Sequence, residues 1–415
     1  MDRYSAKKQT KEKRKSQTCK VYEVKLDRSH LSKEALNHLV SLFTEAKWFY
    51  NYCLSQQNVN DSDTTAKVVP VKVGDDFEDR TFSVLSAQMK QSVKTRLFNS
   101  MSSLKALKKN GHRIGRLKFK GRINSVPLKQ LGDSDHSGTY YIDRNRNRVR
   151  IQGLKKWIRV TGLEQLPKDI EMANATLVRK VNDFFLHITT FTEKQERVVP
   201  ESSIGIDFGC TTQLTFSDGI KVEFQVPASK RLRRLDRRIM RKHRPDSKKK
   251  RQDREKRQKE YEYLTNKKRD IRHKVVSAIT NSFKYVCFQD ESIHAWAMGN
   301  YGKKVQHSGI GGIIADLKHK SHTPCEVGKF FPSTQVCPQC GQLKKLTLKE
   351  RHYECECGYS CDRDVKSSIC IEMEGLRNIP VDYRDFKARE ISSNTFFDTL
   401  SKIDGIKVSK VGSMN

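Results

Sequence analysis

Between Cys337 and Asp364 the chain reads CPQCGQLKKLTLKERHYECECGYSCDRD, and this stretch narrows the possible folds more than any other. Cys337-x-x-Cys340 is followed, after fourteen residues, by Cys355-x-Cys357. Four thiolates in that order suit tetrahedral zinc in both number and softness. Gly341 and Gly358 sit where the tight turns of a knuckle need them, and Cys361 is a fifth thiol able to replace one ligand. A segment of roughly 25 residues held this way does not fold without its metal, so the zinc is expected to be structural, with no open coordination position. The knuckle runs straight into Asp362-Arg363-Asp364. It is therefore placed to act as a bracket that aims an acidic residue.

The 415 residues carry a formal net charge of +33, with 36% hydrophobic residues, enough apolar material for two or three domains. So large a positive excess draws polyanions and makes nucleic acid the expected partner. Five of the 11 cysteines crowd into residues 337–361, which suits a reducing compartment with one metal site rather than a disulfide framework. No apolar run of about eighteen residues occurs, and residues 1–20 lack the apolar core of a signal peptide. A soluble, cytoplasmic protein without a membrane partner is expected.

After a basic tail over residues 1–20, KVYEVKL reads as a strand. Ser32 then caps a helix whose apolar face carries Leu36, Leu39, Val40, Phe43 and Tyr50. A second helix shows the stripe Met89, Val93, Leu97, Met101, Leu104 and stops at Asn110-Gly111. The polar stretch between the helices has no clear period and predicts a loop or small irregular insertion. Short strands follow from Thr139: TYYI, RVRIQ, IRVTG, TLVRKV and FFLHITTFT, the last two joined by a turn at Asn182-Asp183. Residues 21–196 thus predict a β-barrel or sandwich with a helical insertion over about 32–110.

A linker over 197–203 leads into a second domain over 204–376. The buried strand SIGIDFG, the strand QLTFS, a turn at Asp218-Gly219 and IKVEFQV form a three-stranded antiparallel unit. A basic helical hairpin over 230–274 holds 22 Lys or Arg against 7 Asp or Glu. Its first helix has a narrow stripe of Leu232, Leu235 and Ile239 and is broken at Pro245; its second presents Tyr261, Leu264, Ile271 and Val275. So few acids argue against self-neutralisation and for a rail that grips phosphates with Arg231, Arg234, Arg237, Arg238 and Arg241. The strand YVCFQDE, a helix across VQHSGIGGIIADLKHK, a strand near CEVGKFF, the knuckle over 335–361, a helix from about Asp364 to Glu374 and a tail over 377–415 complete the chain. Three antiparallel strands followed by alternating helices and parallel strands make a ribonuclease-H-like layout.

Asp207 lies in the middle of the otherwise apolar strand SIGIDFG, where an unpaired carboxylate is costly unless it binds a cation. Glu291 ends YVCFQDE and Asp364 begins the last helix. In a ribonuclease-H-like topology the first and fourth strands are neighbours and the last helix packs beside the first, so the three carboxylates meet. Hard oxygen ligands suit Mg2+ or Mn2+, and two such ions about 3.5–4 Å apart activate water and stabilise the leaving oxygen of a phosphodiester.

The blocks GIDFG, QDESI, FFPSTQVCPQCG and ECGYSCDRDVKSSICI resemble those of the transposon-encoded TnpB nucleases and the miniature type V CRISPR-associated effectors, over about residues 200–375. The N-terminal half matches more loosely, through the order of strand, helical pair, RLKFKGR and strands. The resemblance implies a multidomain α+β protein: an N-terminal β-barrel with a helical insertion, then a ribonuclease-H-like (RuvC) α/β domain with an inserted zinc knuckle. It implies an RNA-guided DNA endonuclease whose carboxylates match Asp207, Glu291 and Asp364. Asp290 competes for the middle position, but the family's acid is usually followed two places later by Leu or Ile, and Ile293 fits Glu291. The barrel and helices, with Lys118 and Lys120 of RLKFKGR, would hold a guide RNA and read a short flanking motif on target DNA, in a prokaryotic cytoplasm, as a single chain or a homodimer. Two positions depart from the pattern: the second metal half is C-x-C, and Lys366 stands where the family commonly has asparagine, so weaker support near the metals is expected. A non-cleaving, zinc-containing nucleic-acid binder is the competing reading. GIDFGCTT also resembles the first phosphate loop of actin-like sugar kinases, but neither the charge nor the knuckle serves a small-molecule kinase.

Overall fold

The computed structural model describes residues 3–129, 131–133, 137–181, 183–195, 198–244, 247–347, 349–377, 379 and 386–411. The chain divides into two units, Met1–Glu196 and Arg197–Asn415.

The first unit runs α1 (Arg3–Lys15), β1 (Gln17–Leu26), α2 (Lys33–Ser55), β2 (Val68–Val73), β3 (Asp76–Thr81), α3 (Ala87–Lys109), β4 (Ser125–Leu128), β5 (Tyr140–Asp143), β6 (Arg148–Ile151), β7 (Ile158–Thr161), β8 (Glu171–Lys180) and β9 (Asp183–Glu193). Its large sheet takes the order β4-β8-β9-β1-β7-β6-β5. A bridge from Leu131, just beyond β4, to Tyr140 of β5 brings the two edges together, so the sheet nearly closes on itself. Leu39, Phe43 and Phe49 of α2 and Met89, Val93 and Leu97 of α3 join the inward residues of the strands in one core. Ser32 and Ser86 cap these helices through their hydroxyls.

Three local expectations change here. The supposed tail contains α1 and the start of β1, which pairs with β9 from Gln17 opposite Glu193 onward. The polar stretch between α2 and α3 holds the β2-β3 hairpin, turned at Gly74 with φ +63°. Apart from Val69 its side chains are largely solvated, so there was no alternation to read. Val40 is 40% exposed and does not belong to the buried face of α2. Asn182, placed in a turn from sequence, lies outside the described residues.

The second unit runs β10 (Ser203–Phe208), β11 (Leu214–Phe216), β12 (Ile220–Glu223), α4 (Lys230–Met240), α5 (Lys248–Ser282), β13 (Tyr285–Gln289), α6 (Ile293–Met298), α7 (Gly302–Ser308), α8 (Ile310–Lys320), β14 (Thr323–Val327), β15 (His352–Glu354), β16 (Ser360–Asp362), α9 (Arg363–Leu376), α10 (Phe386–Ser401) and β17 (Lys407–Lys410). Its main sheet has the order β14-β13-β10-β11-β12-β17. β13 is parallel to β10 and to β14, while β10, β11, β12 and β17 pair antiparallel. Ile206, Phe216, Val275, Ile279, Phe288 and Phe396 belong to one core. The tail expected over 377–415 contributes α10 and the edge strand β17 to this unit. The single helix expected across VQHSGIGGIIADLKHK is split into α7 and α8 at Gly309, which adopts φ +67°. Tyr261, assigned from sequence to the apolar face of the second hairpin helix, is 48% exposed, whereas Leu264, Ile271 and Val275 are buried. Pro245 lies outside the described residues. No described helix is long and apolar enough to cross a membrane.

Candidate active site and metal centre

The position of Asp364 follows from how α9 lies along β10. Ser203, Gly205 and Asp207 alternate onto one face of the strand. Ser203 Oγ donates to Glu372 Oε1 at 2.5 Å. A Cβ on Gly205 would fall on the Ser368 carbonyl oxygen and lie 2.7 Å from Glu372 Cβ. Glycine at 205 is thus what lets the helix approach this closely. Four helical residues rise about 6 Å and two strand residues about 6.6 Å. After Ser203 with Glu372 and Gly205 with Ser368, the next pair in this antiparallel register is Asp207 with Asp364. On the other side β10 pairs with β13, Ile206 opposite Phe288, and the chain reaches Glu291 two residues beyond Gln289, where β13 ends.

The electrostatics agree with this placement. Burial first, then the charges of Asp364 and Glu291, push the Asp207 carboxyl up to about 8, against the opposing pull of Arg363 and Lys366. Glu291 is also raised, by burial and then by Asp290, with Lys329 opposing. Asp290 is turned elsewhere: it is 58% exposed at the side chain and pairs with Lys318 Nζ at 3.3 Å. Glu291 rather than Asp290 is therefore the acid whose charge reaches Asp207. Arg363 Nε lies 3.5 Å and Arg351 Nη1 4.0 Å from the Asp364 carboxylate.

Asp362 has a different task from Asp364. It ends β16 and caps α9, its Oδ1 accepting from the amides of Asp364 at 3.0 Å and Val365 at 3.1 Å. Lys221 Nζ donates to both its oxygens at 2.8 Å. The helix start that carries Asp364 is thereby fixed to the end of the knuckle.

A buried polar network, unread in the sequence, joins these parts. Gln289 Nε2 faces the carbonyls of Gly328, Lys329 and Phe331, and Gln289 Oε1 accepts from Ser333 Oγ at 3.1 Å. Ser367 Oγ donates to Ser333 Oγ at 3.0 Å. Lys366 is fully buried, and its Nζ donates to the carbonyls of Ser333 at 2.8 Å and Val336 at 3.0 Å while lying 4.4 Å from the Tyr353 ring centroid. Lys366 thus supplies, by another chemistry, a support for α9 that was expected to be weak. The available signals were a glutamine in the apolar run YVCFQ and the polar run KSS inside a helix.

In the knuckle, the Sγ atoms of Cys337, Cys340, Cys355 and Cys357 all lie within 4.8 Å of one another. Cys337 and Cys357 are 3.7 Å apart, Cys340 and Cys355 3.5 Å. Tetrahedral zinc with bonds of about 2.3 Å sets its sulfurs about 3.8 Å apart, so the residues fit that ion. Gly341 and Gly358, at φ +76° and +90°, make the two turns. Cys361 is in β16 and is not part of this group. Among the described residues, the three carboxylates are not gathered to that distance.

On α4, Leu232, Leu235 and Ile239 are buried and the arginines are exposed. Arg231 and Arg238 are engaged with Glu260 at 3.7 Å and Asp253 at 2.9 Å. Arg234, Arg237 and Arg241 project into solvent. In the first unit Lys118 is exposed and Lys120 Nζ lies 4.2 Å from the Tyr50 ring centroid.

Residues 317–371, which include β14, the knuckle and the start of α9, match the family model described as Cas12f1-like, TNB domain. A protein of Escherichia coli K12 named putative RNA-guided DNA endonuclease InsQ is 24% identical over 363 residues, 80% of this chain and 85% of the relative. The chain is similar to the TnpB and type V effector family. A second relative, a putative RNA-guided DNA endonuclease of Streptomyces pristinaespiralis, is 24% identical over 221 residues. That match spans 51% of this chain and about half, 55%, of the relative's length. A solved Cas12f1-sgRNA-target DNA complex aligns over 82% of this chain and 83% of its own, with 14% identity and a TM-score of 0.47.

Proposed function

We propose that this protein is an RNA-guided DNA endonuclease that hydrolyses phosphodiester bonds at Asp207, Glu291 and Asp364. The observation that carries the reading is the charge of Asp364 and Glu291 felt at Asp207, near the C-terminal end of the central strand β10. A buried Asp207 whose ionisation is opposed by two neighbouring carboxylates forms a site that a divalent cation would relieve. The sheet order, with the first strand flanked by an antiparallel and a parallel neighbour, supports a RuvC-like domain.

Mg2+ or Mn2+ held there would polarise the attacking water and neutralise the leaving oxygen. The chain's own residues do the positioning. Asp207 is fixed by the sheet, and Asp364 by the Asp362 cap and by the knuckle behind it. Zinc on the four cysteines keeps that knuckle rigid and takes no part in the chemistry. Arg234, Arg237 and Arg241 contact phosphates without reading sequence, and Lys118 and Lys120 do the same in the first unit. Base pairing with a guide RNA reads the target. The relatives' names speak of RNA-guided DNA cleavage in their own cases, which supports this assignment. The protein works in the cytoplasm, as a single chain or a homodimer.

The test is to sequence the RNA that copurifies with the chain and to supply DNA complementary to it. Magnesium-dependent cuts confined to the matching DNA are expected. Cleavage indifferent to the match, or recovery of stable protein that binds no RNA, would overturn the proposal.

A further inference from the structure

The loop after β14 presents an aromatic ring that the chemistry above does not use. Phe330 is 91% exposed. Single exposed apolar residues are common and mean little alone, but this one is held on an unusually constrained loop. The buried amide of Gln289 faces the carbonyls of Gly328, Lys329 and Phe331 at 3.1, 3.1 and 2.8 Å. The Phe331 amide donates to the Gly328 carbonyl at 3.0 Å, and the Phe331 side chain packs on the small core around Cys287 and Ile371. The backbone on either side of Phe330 is tied down, while its ring is left in water.

The loop's place gives the ring a purpose. It leaves the C-terminal end of β14, and Glu291 follows the C-terminal end of β13, the parallel neighbour. The Asp290 amide donates to the Val327 carbonyl at 3.0 Å, joining the two exits. Lys329 Nζ stands 5.7 Å from the centroid of the Phe330 ring. A cation, an exposed aromatic face and an acid of the proposed site thus lie at adjoining strand exits.

We infer that Phe330 is a stacking platform for an unpaired base of the DNA strand entering the carboxylate site, with Lys329 on the adjoining phosphate. This rests on the endonuclease reading for its substrate. Stacking on an aromatic face is sequence-tolerant, as a nuclease programmed by RNA requires. The pinned backbone means that little conformational freedom is lost when a base docks.

The experiment uses the full, zinc-loaded chain with Asp364→Ala in magnesium-free buffer, and an oligo(dT) carrying one 2-aminopurine, whose fluorescence is quenched by stacking. Quenching is expected in this protein and with Phe330→Trp added, and it should be lost with Phe330→Ala or Phe330→Leu, with affinity falling about tenfold. In the otherwise unaltered enzyme, Phe330→Ala should raise KM for single-stranded DNA by a similar factor, and Phe330→Trp should restore it. Unchanged quenching with Phe330→Ala, equal quenching with Phe330→Leu, or quenching by the RNA analogue alone would overturn the inference. If the parent fails to cut DNA but the fluorescence follows the aromatic ring, the nuclease reading falls and the stacking site stands. If the parent cuts matched DNA and neither cleavage nor quenching depends on residue 330, the stacking site falls and the nuclease reading stands.

Discussion

Replacing Lys366 by methionine separates the structural role of this residue from the handicap its sequence context suggests. Methionine nearly matches the length and volume of the side chain, so no large cavity forms, but both bonds to the Ser333 and Val336 carbonyls, at 2.8 and 3.0 Å, disappear. Each carbonyl left unpaired away from water costs about 1–3 kcal/mol. Relief from holding an ammonium in a fully buried position returns part of that. A net loss of about 2–4 kcal/mol follows, which for a unit of this size lowers Tm by roughly 5–15 °C. Lys366→Asn should behave similarly, because the shorter amide does not span both carbonyls, and it should not raise cleavage. The assay is a thermal melt of the zinc-loaded protein with zinc stoichiometry measured alongside. A Lys366→Met protein melting within about 2 °C of the parent would refute the reasoning.

Burial and like charges hold Asp207 protonated up to about 8, whereas its ordinary value is 3.8. Over that range the folded chain binds more protons than the unfolded one, so magnesium-free stability should fall as pH rises from 3.8 towards about 8, a fall that Asp207→Asn should flatten; an unchanged slope in denaturant titrations at several pH values would count against the carboxylate cluster. Cys337→Ser should lose zinc and melt the knuckle, and metal analysis returning one zinc per chain would refute the four-cysteine site. Changing Arg234, Arg237 and Arg241 together to glutamine should lower the slope of log K against log salt for nucleic acid by about 0.7–0.9 per lost phosphate contact. An unaltered slope would show that the exposed face of α4 is not the rail.

The parts of this protein legible from sequence are those where one short pattern dictates one geometry. SIGIDFG announced a central strand because apolar residues surround a single acid, and the cysteine spacing announced the knuckle because four soft ligands have few other uses. Asp364 was also readable as the start of the last helix, whereas the cap made by Asp362 is seen only in the structure. What was missed depends on tertiary context. The β2-β3 hairpin is exposed on nearly every side chain, and β17 gains its strand character by pairing with β12 rather than from its own composition. Lys366 is the clearest case: a lysine in a helix normally reads as a solvated charge, and only the carbonyls of Ser333 and Val336 make burial tolerable. The pinning of the loop around Phe330 by Gln289 joins residues about 40 positions apart, beyond any local pattern.

The central claim is tested most directly by measuring cleavage of guide-matched DNA by Asp207→Ala, Glu291→Ala and Asp364→Ala, each loaded with the parent's own RNA and compared with Asp362→Ala. Each of the three should bind RNA and target nearly as the parent does and fail to cut in magnesium, because two remaining carboxylates do not hold the metals that activate water. Asp362→Ala, which loses a cap and an ion pair, should cut more slowly than the parent and much faster than Asp364→Ala. Cleavage by Asp364→Ala at the parental rate would contradict the account.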